Sequence, residues 1–490
     1  VQRARLRRMK PTVRGGRSTA ALAAAASLSL VLAGCGSGST AIPPARVASS
    51  NVSFNSCASV ACTGTMDGAA YTIVMPKTWN GTLLLYSHGY RQAAPAPPDF
   101  APVDTKAEAA PGYGDGSDAV GQALLAQGYA IAGSAYKTNG WAVADGVTAD
   151  ENLHDFFVQH IATPNRTIVW GDSLGGLITE VVAEKHPEWV DGAVPLCGVL
   201  AGPNPNLDLA LDVAYAVKTL IYPPLQLDGY SSYAQAVANW EGAAQAIVAA
   251  GKDTVNGVPK IIMVASLVDA PGKTETYDGS SITSQVEAYA ESALTALGYG
   301  TFGRYDIEQR VGGNPSTNVG VDYSQRISAS ERALMELVSP GSTDKMLAEL
   351  AAGQRVSADP AARAKLAATG TPTGNIMVPT LTMHTEDDPL VLVQNETVFA
   401  SEVAASKSRT GDLVQLFTSP PATYPQAPGA PYGAGHCNFT EQSRLAVVNM
   451  MNSWVRDGVY PGSAAIATAM GTASGYDPVY QPGPWPAATS

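Results

Sequence analysis

Residues 167–176 read TIVWGDSLGG, and no other stretch narrows the possible folds as far. A β-branched and aromatic run, Thr167-Ile168-Val169-Trp170, ends in Gly171-Asp172-Ser173-Leu174-Gly175. A segment with an apolar face then follows through Leu177, Ile178, Val181 and Val182. Strand, tight Gly-x-Ser-x-Gly turn and helix together are the context of a nucleophile elbow. The glycines let strand and helix approach closely, while the serine is pushed into a strained backbone region with its hydroxyl exposed.

The surrounding pattern predicts the layers that such an elbow needs. Short apolar runs over 70–75, 82–86, 129–135, 167–170, 192–196, 380–383 and 413–418 predict strands. Helical periodicity over 118–127, 151–161, 174–184, 393–406 and 441–456 falls between or after them. This alternation implies an α/β fold, a mostly parallel sheet flanked by helices, with an antiparallel start where early strands precede any helix. Residues 201–374 interrupt the pattern with helical segments at 207–221, 232–250, 281–297, 329–337, 345–352 and 360–368. The last has Asp359 placed to cap it, with Pro360 at the first helical position. This insertion predicts a large helical cap after the sixth strand. The expected organisation is therefore core over 52–200, cap over 201–374, core over 375–460, and a Pro/Gly-rich tail over 461–490 in extended form.

The beginning of the chain reads differently. Arg3, Arg5, Arg7, Arg8, Lys10, Arg14 and Arg17 form a basic leader without an acidic residue, followed by a run of small apolar residues over 19–33. That run is too short for a comfortable membrane span and fits a signal peptide over 1–34, with Met9 or Val1 as start. It ends in Leu32-Ala33-Gly34-Cys35, which resembles the lipobox of bacterial lipoproteins. The resemblance implies cleavage before Cys35, lipid on that cysteine, and a flexible tether over 35–51. An exported body anchored to the membrane only through Cys35, or secreted if unlipidated, is the expectation. The whole chain has 30 Lys+Arg against 42 Asp+Glu, and without the leader's seven basic residues the balance is 23 against 42. Such an acidic surface argues against nucleic acid as a partner.

Cys57, Cys62, Cys197 and Cys437 remain once Cys35 is set aside, an even number in an oxidising compartment. Three pairings are open. Cys57–Cys62 with Cys197–Cys437 is favoured, as a local clip and a long-range staple.

A serine hydroxyl needs a histidine to take its proton and a carboxylate to orient that histidine. His154, His160 and His186 lie on helical segments flanking the elbow, and His384 ends a strand. His436 sits in the glycine-rich loop Gly433-Ala434-Gly435-His436-Cys437-Asn438, between the last predicted strand and the last predicted helix. Asp387 and Asp388 follow the strand over 380–383, where open α/β sheets place their sites.

With Ser173, then Asp387 or Asp388, then His436, the chain resembles the α/β-hydrolase superfamily over about 52–459, apart from the cap. His384-Thr385-Glu386-Asp387-Asp388-Pro389 is similar to that family's His-Gly-x-x-Asp-Pro, with Thr385 in place of glycine, and this selects Asp388. Ser87-His88-Gly89-Tyr90 is similar to its oxyanion motif. The resemblance implies an oxyanion hole from the N–H groups of Tyr90 and Leu174, with His88 shaping the loop. His88, Gly89 and Trp141 are further pocket candidates. The implied chemistry is ester hydrolysis through an acyl-enzyme, by a monomer acting on a small-molecule ester or peptide. No metal and no cofactor signature is present. An aminopeptidase or amidase is the alternative, which would require a cap carboxylate such as Asp208, Asp212 or Glu241 to hold an amine. A non-catalytic binding lipoprotein is the reading from another class.

Overall fold

The computed structural model describes residues 45–46, 61–113, 118–406, 412–425 and 431–486. Cys35, Cys57, the leader over 1–34 and nearly all of the tether lie outside these residues. Among the described residues no helix is long and apolar enough to cross a membrane.

Before the cap run β1 (Ala61–Met66), β2 (Ala69–Val74), β3 (Thr82–Ser87), α1 (Ala119–Ala126), β4 (Ala130–Ser134), α2 (Val143–His160), β5 (Arg166–Asp172), α3 (Leu174–Lys185) and β6 (Gly192–Leu196). Eight α-helices lie between β6 and β7: α4 (Pro203–Leu220), α5 (Tyr233–Lys252), α6 (Val258–Ser266), α7 (Ile282–Gly298), α8 (Arg304–Val311), α9 (Ala329–Val338), α10 (Ser342–Ala352) and α11 (Pro360–Thr369). Then come β7 (Thr380–Thr385), α12 (Asn395–Ser406), β8 (Leu413–Thr418), α13 (Glu441–Asp457) and α14 (Ser463–Met470).

The sheet runs β1-β2-β4-β3-β5-β6-β7-β8, with the two residues Ala45–Arg46 as a further edge beside β1. β2 is antiparallel to both β1 and β4, and every pair from β4 to β8 is parallel. With α2 and α3 on one face and α1 and α13 on the other, this is the α/β-hydrolase fold. Burial explains the layering. Leu83 and Leu85 face the α2–α3 side, while Leu84 and Tyr86 face the α1–α13 side, so β3 is apolar throughout. Parallel register places Ser87 beside Gly171, Asp172 beside Leu196, and Leu196 beside Met383. The carboxyl ends of β3, β5, β6 and β7 therefore open onto one edge.

Several expectations need correction. β1 gives no apolar run because it is built of small residues, ACTGTM, and pairs as an antiparallel edge. α2 begins at Val143, eight residues before the predicted start at 151, because Gly146 and Val147 also face the core. α6 is missed because it is nine residues long and apolar almost throughout, a short run that does not by its pattern separate helix from strand. α8, preceded by a π-helical turn at Tyr299–Gly303, was likewise unpredicted. The tail is not wholly extended. Its alanine-rich segment forms α14, and Ile466 and Met470, one turn apart, bury against α13. The Asp359 cap accepts hydrogen bonds from the N–H groups of Ala361 and Ala362.

Candidate active site

At the elbow, Ser173 has φ 62° and ψ −122°, a left-handed conformation that costs a non-glycine residue on the order of 1–3 kcal/mol. Its N–H donates to Leu196 O at 2.9 Å, which holds the turn against β6. Side chains at Gly171 and Gly175 would both run into the carbonyl oxygen of Ser87, so glycine on either side brings the elbow against the end of β3. Tyr86 Oη donates to Asp172 at 2.9 Å, and Arg444 Nη1 on α13 donates to the other carboxylate oxygen at 2.5 Å.

His436 lies on the loop before α13, 5% exposed, and its Nδ1–H donates to Asp388 Oδ2 at 2.7 Å. The other oxygen of Asp388 accepts from the N–H groups of Leu390 and Val391, both at 2.9 Å. Burial opposes the Asp388 charge, but the two imidazoles outweigh it and hold the carboxyl well below the usual carboxylate range. Asp387 has a different task. Its carbonyl accepts from Gly435 N at 3.0 Å, and it bridges to Ala434 in parallel, which joins the acid loop to the histidine loop. Thr385 Oγ1 also donates to Gly435 O at 2.7 Å.

A Cys197–Cys437 disulfide ties the end of β6 to the residue after His436. Both cysteines have positive φ, and Arg444 Nη2 donates to Cys437 O at 2.9 Å. Arg444 thus grips the elbow and the histidine loop at once. Cys62 is also disulfide-bonded, while its expected partner Cys57 lies outside the described residues. His436 Nε2 is 3.4 Å from Cys437 Sγ. A disulfide sulfur carries no proton, so the neutral ring keeps its Nε2 lone pair free for an incoming hydroxyl. Among the described residues Ser173 Oγ makes no hydrogen bond with His436; such contacts often close only with substrate present. Cys197, His436 and Cys437 cluster within the 4.8 Å of a metal-ligand set, but the two sulfurs are bonded to each other and offer no thiolate.

Ser173, Leu174, Tyr90 and Trp141 line a cleft that opens to solvent. Its walls are apolar, with Leu207, Leu209 and Val213 from α4, Val268 after α6, and Val391 and Leu392 after the acid loop. Among the described residues, neither the Tyr90 nor the Leu174 N–H donates to a protein acceptor. Of the pocket candidates, Trp141 is among the residues lining the cleft, and His88 and Gly89 are not. His88 is buried, stacked on Tyr136 with ring centroids 4.0 Å apart, its Nδ1 2.7 Å from Gly89 O. Burial and the nearby Arg91 keep its ring neutral.

Asp208 and Asp212, expected as amine-binding candidates, are paired instead with Arg363 and Arg326, at 2.8 Å each, and Glu241 is exposed on α5. The cap carboxylate that does reach the site is Glu275, whose side chain occupies the space where Gly435 would carry a Cβ. Burial, Glu291 and Asp388 push it up to about 7 against the pull of His436. Nothing in the local sequence Lys273-Thr274-Glu275 marks it. Asp172 and Arg444 carry no local mark either, since their partners are distant in the chain.

Buried carboxyls give the protein a pH-dependent stability. Burial raises Asp150 to about 7 despite the Ser87 hydroxyl that donates to it at 2.6 Å, and raises Glu108 to about 7 despite Arg91. In the unfolded chain these groups titrate near 4. The folded state therefore holds protons that the unfolded state has lost, so this stability is complete below about pH 4 and disappears as pH rises through about 7. Asp388 acts in the opposite sense, but its window lies below the ordinary carboxylate range. Thermal midpoints are expected to be higher at pH 5.5 than at pH 8. Asp150→Asn should flatten that slope and raise stability at pH 8 by on the order of 2 kcal/mol. A midpoint that climbs between pH 5.5 and 8 would contradict this account.

No protein-family model matches the chain. It is 28% identical to o-phthalyl amidase from Xanthobacter agilis over 134 residues, 26% of this chain and 25% of the amidase, so it matches about a quarter of that curated relative's length. Among solved structures it is similar to feruloyl esterase B from Aspergillus oryzae, at 15% identity and TM-score 0.36 over 82% of this chain and 81% of the other. It is also similar to the rice cell wall degrading esterase LipA from Xanthomonas oryzae, at 11% identity and TM-score 0.33 over 71% and 78%. A serine hydrolase from Cycloclasticus zankles is similar at 14% identity and TM-score 0.33, over 82% and 99%.

Proposed function

We propose that this protein is a serine hydrolase that cleaves carboxylic esters of apolar acids through an acyl-enzyme on Ser173. The observation that carries this reading is the Asp388–His436 hydrogen bond, tied through Cys437–Cys197 to the strand end that holds Ser173, a strained serine opening into a largely apolar cleft. In the proposed cycle His436 Nε2 takes the Ser173 proton as Oγ attacks the carbonyl carbon. The tetrahedral oxyanion rests on the N–H groups of Tyr90 and Leu174. The intermediate collapses as His436 gives its proton to the leaving oxygen, and water activated by the same ring then releases the acid. The acyl group would lie along Leu207, Leu209 and Val268, where burial favours apolar chains by about 0.8 kcal/mol per methylene.

Amide cleavage is the second reading. The stretch matched by o-phthalyl amidase and the carboxylate of Glu275 beside the histidine loop favour it. Export and lipid on Cys35, with a monomeric body acting on a small molecule, belong to the same proposal. A diacylglyceryl mass on the Cys35 peptide would check the anchor.

The decisive test is a fluorophosphonate probe with peptide mapping. A stoichiometric adduct on Ser173, absent in Ser173→Ala, is expected. No adduct on folded protein would move a binding role to the front. Matched p-nitrophenyl esters and anilides of one acyl group then separate the two chemistries.

A further inference from the structure

His384 is fully buried at the end of β7, one residue before the acid loop. Its Nε2 is 2.8 Å from Val391 O, and a carbonyl only accepts, so Nε2 carries a proton. Its Nδ1 is 3.2 Å from Glu396 Oε1 on α12. The other oxygen of Glu396 already accepts from Thr382 Oγ1 at 2.6 Å and Gln415 Nε2 at 2.7 Å, as a carboxylate would. With Glu396 as the carboxylate both ring nitrogens donate, and the ring is an imidazolium. Burial opposes this charge, but the bonds to Asp388 and Glu396 outweigh it and lift the ring to about 10.

Its position gives the charge consequence. Nε2 also lies 3.5 Å from Asp388 Oδ2, the oxygen that receives His436 Nδ1–H. Val391 completes a closed link, with its N–H donating to Asp388 and its carbonyl accepting from His384. The other titratable groups nearby are Glu180 on α3 behind Glu396, Glu275 from the cap beside Gly435, and Tyr299 toward Asp388. Glu180 is fully buried with both oxygens unpartnered, so it stays protonated and adds no charge.

We propose that His384 is a positioning residue, a buried imidazolium that fixes Asp388 through Val391 and offsets its charge, thereby limiting how readily His436 becomes protonated. The inference rests on the reading of Ser173, Asp388 and His436 as a triad. With His384 charged, Asp388 is partly neutralised before reaction, and His436 remains a free base to lower pH. Removing the cation leaves two buried carboxylates, Asp388 and Glu396, to draw a proton onto His436.

The test uses the full chain and needs no identified substrate. The rate of Ser173 labelling by a fluorophosphonate is followed against pH in the parent and in His384→Gln. Labelling needs neutral His436, so its acidic limb should move up by about one pH unit in the variant, the size expected for losing a charge a few ångströms away. A folded variant whose limb does not move overturns the proposal, even if its rate falls. Independently, the nitrogen spectrum of ¹⁵N-histidine-labelled parent protein at about pH 8.5 should show one ring with both nitrogens protonated, where ordinary histidines are neutral. A spectrum with every ring neutral overturns it too, whether or not the variant folds. A parent that never labels at Ser173 would instead remove the hydrolase reading and the positioning role with it, and the spectrum would still decide the charge of His384.

Discussion

Asp388→Asn is expected to lower kcat by about 10,000-fold with little change in KM, whereas Asp387→Asn should stay within a few-fold of the parent. The difference follows from which atoms each residue uses. Asp388 presents a carboxylate oxygen to His436 Nδ1–H at 2.7 Å, and that bond fixes the tautomer with a bare Nε2. An asparagine offers an N–H in its place, favours the wrong tautomer, and cannot balance an imidazolium. Asp387 serves the site through its backbone carbonyl to Gly435, which asparagine retains. Steady-state kinetics on a p-nitrophenyl ester would measure both, with circular dichroism to verify folding. A larger loss in the Asp387 variant would reassign the acid.

Replacing Cys197 and Cys437 together by alanine should produce the largest loss of stability. The bond closes a loop of 240 residues, for which chain entropy gives about 5 kcal/mol as an upper estimate. That is comparable with the whole net stability of many domains, about 5–15 kcal/mol. Activity should suffer first. The bond fixes the residue next to His436 to the end of β6, the strand whose Leu196 carbonyl also holds Ser173 N–H. Loosening the base by an ångström costs on the order of 100-fold in rate. Arg444 still bridges Asp172 and Cys437 O, so the loop is weakened rather than released. Titration with a reductant, following kcat and a denaturant midpoint in parallel, should show activity falling while the protein remains folded. Unchanged activity in reduced, folded protein would mean that Arg444 and Asp387 suffice to position the base.

The features legible in the sequence are those whose cause is local or periodic. The elbow is readable because one strand, two glycines and one helix lie within a score of residues, and the steric demand of Ser87 O on Gly171 and Gly175 is written at fixed spacing. The alternation of strands and helices is readable because half-buried elements carry a period. Where a helix is short and apolar almost throughout, as α6 is, or a strand is built of small residues near the sheet edge, as β1 is, the local pattern no longer marks the element.

The α/β layering, the elbow at Ser173 and the order in which an acid and a histidine follow that serine are all written locally along the chain. The contacts of each downstream residue are not, because they form between distant segments. The signature already pointed to Asp388, and the fold adds the separate task of Asp387, a backbone bond to Gly435. Of the pairings the sequence left open it formed Cys197–Cys437, and it brought Arg444 to Asp172 across 272 positions. It also enclosed His384 between two carboxylates and spent Asp208 and Asp212 on arginines while leaving Glu275 facing the site. The reason is physical. Backbone conformation is governed by neighbours a few residues away, whereas charge state, pairing and cleft shape depend on groups that meet only when the sheet edge and the cap close around them.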